Sequence, residues 1–482
     1  MSALVWLRTD LRSSWNSAID YAVASHESVS AVYFVTQKQW SKYNMANSKI
    51  ALIYQRLVSL QEELKERNIN LQVMDGGIYE TLPEKLTELC VKNHVTHVYC
   101  NAEYEWDERQ RDASVKNSLN KMDVAFATFH DTCLVKPTEI MNLKNEPYKV
   151  FTPYFKRWLE MTLRQLPGVP EKCSANDTGL KHSEDDNQYI ESLISKTNRQ
   201  DSDGSDAPSW PATASEITKK MNGFIVEFAP DYPKNRDIPS IEGTSKISPY
   251  LSIGALSPRQ CLFHVLQEYG EDALSPEHGA YTWVKEIAWR DFYRYVMFHF
   301  PHVSRGLPFQ KHYQYFKWEN NQQHFDAWKA GETGYPIVDA AMIALKQTGW
   351  MHNRLRMIVA SFYCKHLLLP WKWAEDYFMS QLIDGDYASN NGGWQWSASV
   401  GTDAAPYFRI FNPTTQSERF DPQGEFIKTW LPQLAHLSPK QVHEPSKHCD
   451  VQRLGYALPI VEHKASVART KAQFKGFLAA LK

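Results

Sequence analysis

Ala3-Leu-Val-Trp-Leu7 and Val29-Ser-Ala-Val-Tyr-Phe-Val35 are short, nearly unbroken apolar runs, and three more follow at Ile69–Met74, Val95–Cys100 and Val124–Phe129. A strand with one solvated face alternates apolar and polar residues, whereas a strand covered on both faces does not. Between these runs lie the amphipathic stretches Ser48–Arg67, Tyr79–Lys92 and Asp107–Lys121. Buried strand and amphipathic helix in succession predict a doubly wound parallel sheet with helices on both faces, over residues 1–130. The first strand runs into Arg8-Thr-Asp-Leu-Arg12. That turn has neither the glycines of a dinucleotide fingerprint nor a phosphate loop, which argues against an ATP-using nucleotidyl transferase built on this sheet.

The pattern then changes. Residues 131–215 are expected to link two domains. Their second half, with Glu171-Lys-Cys-Ser-Ala-Asn-Asp and Asn198-Arg-Gln-Asp-Ser-Asp-Gly, is rich in Ser, Asp and Asn, with one short helix at Gln188–Lys196. From 216 to 482 strand patterns vanish and helices dominate. Ser257-Pro258 opens one helix to Tyr269 as N-cap and first residue, and Tyr281–Phe300, Pro336–Gln347, Met351–Leu369 and Trp373–Leu382 follow. The expected fold is an α/β domain followed by a larger all-α domain.

With 482 residues, two or three domains are expected, and 43% hydrophobic with 22% charged residues is ordinary for a globular protein. Sixteen tryptophans are not ordinary, and most lie after residue 280, so the helical domain needs a local reason for them. The net charge of -2 rules out a uniformly basic nucleic-acid binder but leaves room for a segregated basic groove. Seven cysteines without a Cys-x-x-Cys pair point to a reducing cytoplasm and no metal site. No stretch approaches the ~20 apolar residues of a membrane helix.

Four segments of the helical domain carry more polar groups among aromatics than a plain core tolerates. Glu242-Gly-Thr-Ser-Lys-Ile-Ser248 offers backbone N–H and hydroxyl donors suited to phosphate oxygens, although a helix-capping loop would use the same residues. In Trp283-Val-Lys-Glu-Ile-Ala-Trp-Arg-Asp-Phe-Tyr-Arg294, helical spacing puts Trp283, Glu286, Arg290 and Tyr293 on one stripe, with Trp289 beside Glu286. An exposed Glu–Arg pair would give the same pattern. In Gly349-Trp-Met-His-Asn-Arg-Leu-Arg-Met357, Asn353, Arg356 and Met357 share a face. The densest segment is Asp384-Gly-Asp-Tyr-Ala-Ser-Asn-Asn-Gly-Gly-Trp-Gln-Trp396. Its three glycines make a poor helix and a poor strand but allow close approach to a ligand, and its acids lack the spacing of a calcium loop.

These segments, in this order behind an α/β domain, resemble the DNA photolyase/cryptochrome family. The likeness starts at Val5-Trp-Leu-Arg-Thr-Asp-Leu-Arg12 and continues through Tyr148-Lys-Val-Phe-Thr-Pro153 and Thr333-Gly-Tyr-Pro-Ile-Val-Asp-Ala340. It ends with Gly401-Thr-Asp-Ala-Ala-Pro-Tyr-Phe-Arg-Ile-Phe-Asn-Pro413 and Ile460-Val-Glu-His463. Within the family the chain is most similar to bacterial class I cyclobutane-dimer photolyases.

The resemblance implies a folded FAD in the helical domain. Tyr232, Thr244, Ser245, Lys246, Ile247 and Ser248 match positions around its phosphates and ribityl chain, with Lys246 where an Arg is common. Trp283 and Arg290 match helix positions lining the cofactor, and Arg356 and Asp384 an ion pair over its ring. Gly385 and Asp386 match positions near the ring and ribityl chain, and Asn390 the residue facing flavin N5. Glu286 and Asn353 resemble groups that bind the thymine edges of a flipped-out dimer, Trp289 and Trp396 its aromatic walls, and Met357 its floor. Trp394, Trp371 and Trp318 match a relay carrying electrons from the surface to oxidised flavin. Arg236, Lys285, Arg290, Arg354 and Arg409 are candidates for DNA phosphate contacts. The implied protein is a cytoplasmic monomer that acts on ultraviolet-damaged DNA without a protein partner.

Family members often hold a second, light-harvesting chromophore. Glu108 matches the acid that grips the pterin of 5,10-methenyltetrahydrofolate, so that folate is the expected antenna, with a deazaflavin or an empty site as alternatives. Two neighbours depart from the pattern: Tyr43 stands where a His is common, and Asp107 where an Asn is common. A signalling cryptochrome would carry a longer tail and a different residue at Asn390. Repair of (6-4) lesions would use a histidine pair, for which only His352 is at hand.

Overall fold

The computed structural model describes residues 2–169, 173–175, 189–195 and 210–481. Five parallel strands form one sheet: β1 (Ser2–Leu7), β2 (Ser28–Val35), β3 (Asn70–Asp75), β4 (Val95–Asn101) and β5 (Ala125–Phe129). Their order is β3-β2-β1-β4-β5, so the chain winds outward from β1 on one side, returns, and winds outward on the other. The crossovers are α1 (Ser17–Ser25), α2 (Asn47–Lys65), α3 (Leu82–Lys92) and α4 (Trp106–Asn120). Strand β1 lies in the middle with Ala3–Leu7 buried throughout, which is why its sequence does not alternate. Edge strand β5 is the exposed one.

The segment between the domains contains α5 (Phe151–Arg164), whose Phe151, Tyr154, Phe155 and Trp158 form one buried stripe. Residues 189–195 are helical, while the ends of the helix expected at Gln188–Lys196 lie outside the described residues.

The remainder is helical, as the loss of strand patterns predicts. The elements that matter here are α6 (Ala214–Glu227), α7 (Pro258–Tyr269), α8 (Gly279–His299), α9 (Pro336–Thr348), α10 (Asn353–Ser361), α11 (Trp371–Gln381), α12 (Tyr387–Ala398) and α13 (His463–Ala479). Ser257 caps α7, its hydroxyl accepting from the Arg259 N–H at 3.1 Å, with Pro258 at the first position. The expected helix from Met351 to Leu369 is shorter. His352 caps it, so α10 starts at Asn353, and it ends in a π-helical turn at Phe362–Leu367.

Asp384–Trp396 departs most from expectation. All of it from Tyr387 onward is α12, despite Gly392 and Gly393. Asp386 caps that helix, accepting from the Ser389 N–H at 3.2 Å. Gly392 lies under the ring of Tyr293 from α8, and a Cβ there would overlap the ring carbons. The glycine is thus a close-packing residue inside a helix, and tertiary contact overrides its poor propensity.

The domains are tied by hydrogen bonds. The Leu11 N–H donates to the Ile253 carbonyl at 3.2 Å, and Arg12 donates to the Gly254 carbonyl at 3.0 Å while pairing with buried Asp131 at 2.7 Å. Gly254, at φ +70, sits so close to Thr9 and Asp10 that a side chain would collide with their backbone.

Candidate active site

The Glu242–Ser248 loop packs against the end of α8. Trp283 Nε1 donates to Ser245 Oγ at 3.3 Å, and Tyr232 lies buried beside the same helix. Lys246 adopts φ +48, a left-handed conformation costly for a side-chain-bearing residue, and its ammonium pairs with Glu242 at 2.6 Å. From there Ser248 Oγ donates to Asp384 Oδ2 at 2.6 Å, and Arg356 Nη2 donates to the same oxygen at 2.7 Å. Three of the four segments therefore converge on one carboxylate. The other oxygen, Asp384 Oδ1, is buried with no protein partner. A buried carboxylate oxygen left empty needs a donor, and a flavin ring N–H is of the right kind.

Asn390 Nδ2 donates to the Glu375 carbonyl at 3.0 Å, which turns its amide oxygen the other way. The layer beneath is locked. Asn391 donates to the fully buried Glu375 carboxylate at 2.7 Å, and Gln395 donates to Asn391 at 3.0 Å. Sequence patterning gave no sign of Glu375, because a lone Glu on an amphipathic helix reads as solvated. Asp386 is fully engaged: Arg294 grips both its oxygens, at 3.0 and 3.1 Å. Burial pushes its carboxyl up, but Arg294 outweighs that and holds it below the usual range. Next to it, Lys49 Nζ donates to the Gly385 carbonyl at 2.6 Å.

The residues expected to wall a dimer pocket lie on three helices. Glu286 and Trp289 project from α8, Asn353 and Met357 from α10, and Trp396 from α12, all partly or wholly exposed. Two partners were missed. Arg236 Nη1 donates to Glu286 Oε1 at 2.6 Å, so Glu286 is paired in this state. The ring of Phe151 stacks on Trp289 at 3.6 Å and 7°. Both come from segments distant in sequence, with no periodicity to announce them.

Among the candidates for DNA contact, Arg409 is exposed, and Arg236, Lys285 and Arg354 are partly so. Arg354 pairs with Asp237 at 2.8 Å. Arg290 is withdrawn from this set. Its guanidinium is largely buried and donates to the Thr132 carbonyl at 2.6 Å and the Leu251 carbonyl at 3.4 Å, so it ties the interdomain segment to the helical domain and is spent on backbone carbonyls. Of the relay candidates, Trp394 and Trp371 are buried and Trp318 is half-buried, against Phe316 at 4.7 Å and Phe474 at 6.1 Å.

A separate cavity lies between the domains beyond the carboxyl ends of the strands, where Trp6, Thr9, Tyr43, Glu105, Glu108, Arg294 and Tyr387 line it. Ligands of open α/β sheets occupy such places. Tyr79 Oη donates to Glu108 at 3.1 Å, and Tyr43 bonds Asp107 at the rim. Burial, then neighbouring Glu105 and Glu103, pushes the Glu108 carboxyl up to about 8. The shift favours its protonated form, which can donate a hydrogen bond.

Two family models match the chain: the DNA photolyase model over residues 3–172 and the FAD binding domain of DNA photolyase over residues 283–476. The deoxyribodipyrimidine photo-lyase of Escherichia coli is 42% identical over 475 residues, covering 98% of each chain. A bacterial class III photolyase from Agrobacterium tumefaciens superposes with a TM-score of 0.85 at 30% identity, covering 99% of this chain and 98% of the other. An archaeal photolyase from Sulfolobus tokodaii, solved with two FAD molecules, gives 0.81 at 27% identity, covering 99% and 100%. A parallel α/β sheet followed by helices that carry the FAD binding domain match defines the class, and the chain belongs to the DNA photolyase family. Within it, the chain is an enzyme of the deoxyribodipyrimidine photo-lyase kind, with FAD as its cofactor.

Proposed function

We propose that this chain repairs cyclobutane pyrimidine dimers in DNA under blue light. The observation that carries the reading is the Arg356–Asp384–Ser248 cluster with its unpartnered Oδ1. Bound FAD, reduced and excited by light, supplies one electron to the dimer and takes it back once the cyclobutane bonds have split.

The chain's own residues provide position and charge. Thr244, Ser245, Lys246, Ile247 and Ser248 would hold the phosphates and ribityl chain, with Tyr232 and Trp283 packed behind them. Arg356 would offset the negative charge of a reduced ring, and the Asn390 amide oxygen, turned away from Glu375, would accept from its N5–H without adding charge. Trp289 and Trp396 sandwich the flipped-out dimer over Met357, and Glu286 and Asn353 hydrogen-bond its edges. Since Glu286 is held by Arg236, the lesion must share or displace that partner. Arg236, Lys285, Arg354 and Arg409 contact phosphates with little sequence preference. Trp371 and Trp318 feed electrons inward through Trp394 when the flavin is oxidised.

The cavity between the domains fits an antenna, with 5,10-methenyltetrahydrofolate as its occupant. A protonated Glu108 can donate to a pterin nitrogen, with Asp107 at the rim. The protein works as a monomer in the cytoplasm, in keeping with the lack, among the described residues, of any helix long and apolar enough to cross a membrane.

The absorbance spectrum of the purified protein tests the cofactor assignments. Flavin bands with an added near-ultraviolet band are expected. A deazaflavin band would replace the folate, and a spectrum without flavin, even after incubation with FAD, would overturn the reading.

A further inference from the structure

Three rings meet that of Trp394: Phe378 at 4.9 Å, Tyr363 at 5.7 Å and Trp328 at 6.0 Å. They differ in whether they can pass on an oxidation. Phenylalanine is too hard to oxidise. A phenol must shed its proton as it is oxidised, and fully buried Tyr363 donates that proton only to the Pro370 carbonyl, at 3.2 Å, which is too weak a base to take it. An indole can carry the charge as a cation and needs no acceptor. Trp328 is fully buried with its Nε1 unpartnered, so it keeps its proton, and a cation there is poorly solvated. It suits transit and not trapping.

Beyond Trp328 lie Tyr377 at 5.8 Å and Phe325 at 6.2 Å, and among the described residues Trp373 meets Phe325, at 5.7 Å, and not Trp328. Tyr377, on α11, is half-buried, so water can take its phenolic proton. The contiguous rings Trp394, Trp328 and Tyr377 thus run from buried Trp394 on α12 to half-exposed Tyr377 on α11.

We infer that this chain has a second oxidation route, Trp394 to Trp328 to Tyr377, ending at a tyrosine and running beside the Trp371–Trp318 route. The inference rests on the proposed light-driven entry of electrons through Trp394. One electron leaves Tyr377 and moves inward by way of Trp328 and Trp394 to oxidised FAD, while the phenolic proton goes to water. The neutral tyrosyl radical left behind is restored by a thiol in solution, which returns a hydrogen atom and becomes a thiyl radical.

The test uses the full chain loaded with oxidised FAD, without DNA, under a blue flash, with transient absorbance and freeze-quench electron paramagnetic resonance. Trp318→Phe is expected to retain a light-induced radical with a tyrosyl hyperfine pattern, which narrows when the tyrosine rings are deuterated. Trp318→Phe/Trp328→Phe and Trp318→Phe/Tyr377→Phe are expected to lose it. The Tyr377 variant removes one half-exposed hydroxyl, so it remains informative if the buried Trp328 change impairs folding. The route is overturned if Trp318→Phe gives no tyrosyl signal, or if the signal survives Tyr377→Phe. If Trp394→Phe leaves radical formation intact, entry through Trp394 is wrong and the wider relay falls with the branch. If it abolishes radical formation while the Tyr377 change has no effect, the branch alone is wrong.

Discussion

Arg236 Nη1 donates to Glu286 Oε1 at 2.6 Å, and Asp237, 3.9 Å from the same guanidinium, pairs with Arg354 at 2.8 Å. Four charges from three separate segments thus alternate in sign along one chain of contacts. The pairs are about one-fifth to one-third exposed, so they are soft and exchangeable for a ligand. Glu286→Ala is expected to weaken binding of a dimer-containing duplex by about 1.5–3 kcal/mol, the usual size of a hydrogen bond to a charged group. Glu286→Gln should keep most of the affinity. Fluorescence titration with a damaged duplex checks both, and wild-type affinity and repair by Glu286→Ala would remove this residue from the mechanism.

The same geometry bears on salt. Affinity should fall as salt rises, and Arg409→Ala should lower the slope of log affinity against log salt by about 0.9 if it meets one phosphate. Arg290→Ala should leave that slope unchanged, because its guanidinium points at backbone carbonyls. Titrations over a range of salt concentrations separate the two.

Gly392→Ala should destabilise the fold by about 1–3 kcal/mol, because the methyl group must displace the Tyr293 ring or part α8 from α12. Thermal unfolding measures the loss, and Tyr293→Ala should recover part of it in the double variant. Unchanged stability in Gly392→Ala would contradict the packing.

Burial and two neighbouring acids set the pH behaviour of Glu108. Its carboxyl is raised from 4.5 to about 8, so the folded protein holds a proton there that the unfolded chain releases near its ordinary value. Stability from this group is complete below pH 4.5 and is lost as the pH rises toward 8, with a slope of at most ~1.4 kcal/mol per pH unit. Glu108→Gln lacks this term and should gain on the wild type as the pH rises through that window. Denaturant unfolding across pH 5–9 would show a constant difference if the carboxyl is not perturbed.

The alternation of buried runs and amphipathic stretches carried the sheet, because burial on both faces leaves a direct mark on composition. It also carried Ser257-Pro258, where capping chemistry is local. Asp384–Trp396 was legible as a ligand segment but not as a helix. Gly392 is explained by Tyr293, 99 positions before it, and no local pattern encodes that contact. Arg290 shows the opposite error: a stripe shared with Glu286 suggested a shared surface, whereas the Thr132 and Leu251 carbonyls hold the Arg290 guanidinium inward. Glu375, Phe151 and the Arg236–Glu286 pair escaped notice for the same reason, since each is defined by a partner from another segment.

Trp318→Phe should slow light-driven reduction of oxidised FAD yet leave repair intact once the flavin has been chemically reduced. Flavin absorbance under illumination measures the first effect and a repair assay the second. Loss of repair in the prereduced variant would mean that Trp318 acts through structure and not through electron supply.

The most direct measurement is repair itself. The FAD-loaded, chemically reduced protein is mixed with an oligonucleotide carrying one thymine dimer and held in blue light or in darkness, and the restored thymines are counted by chromatography. The account predicts repair in the light only, over many turnovers, with no net consumption of reductant. Absence of repair in the light, or equal repair in the dark, would contradict it.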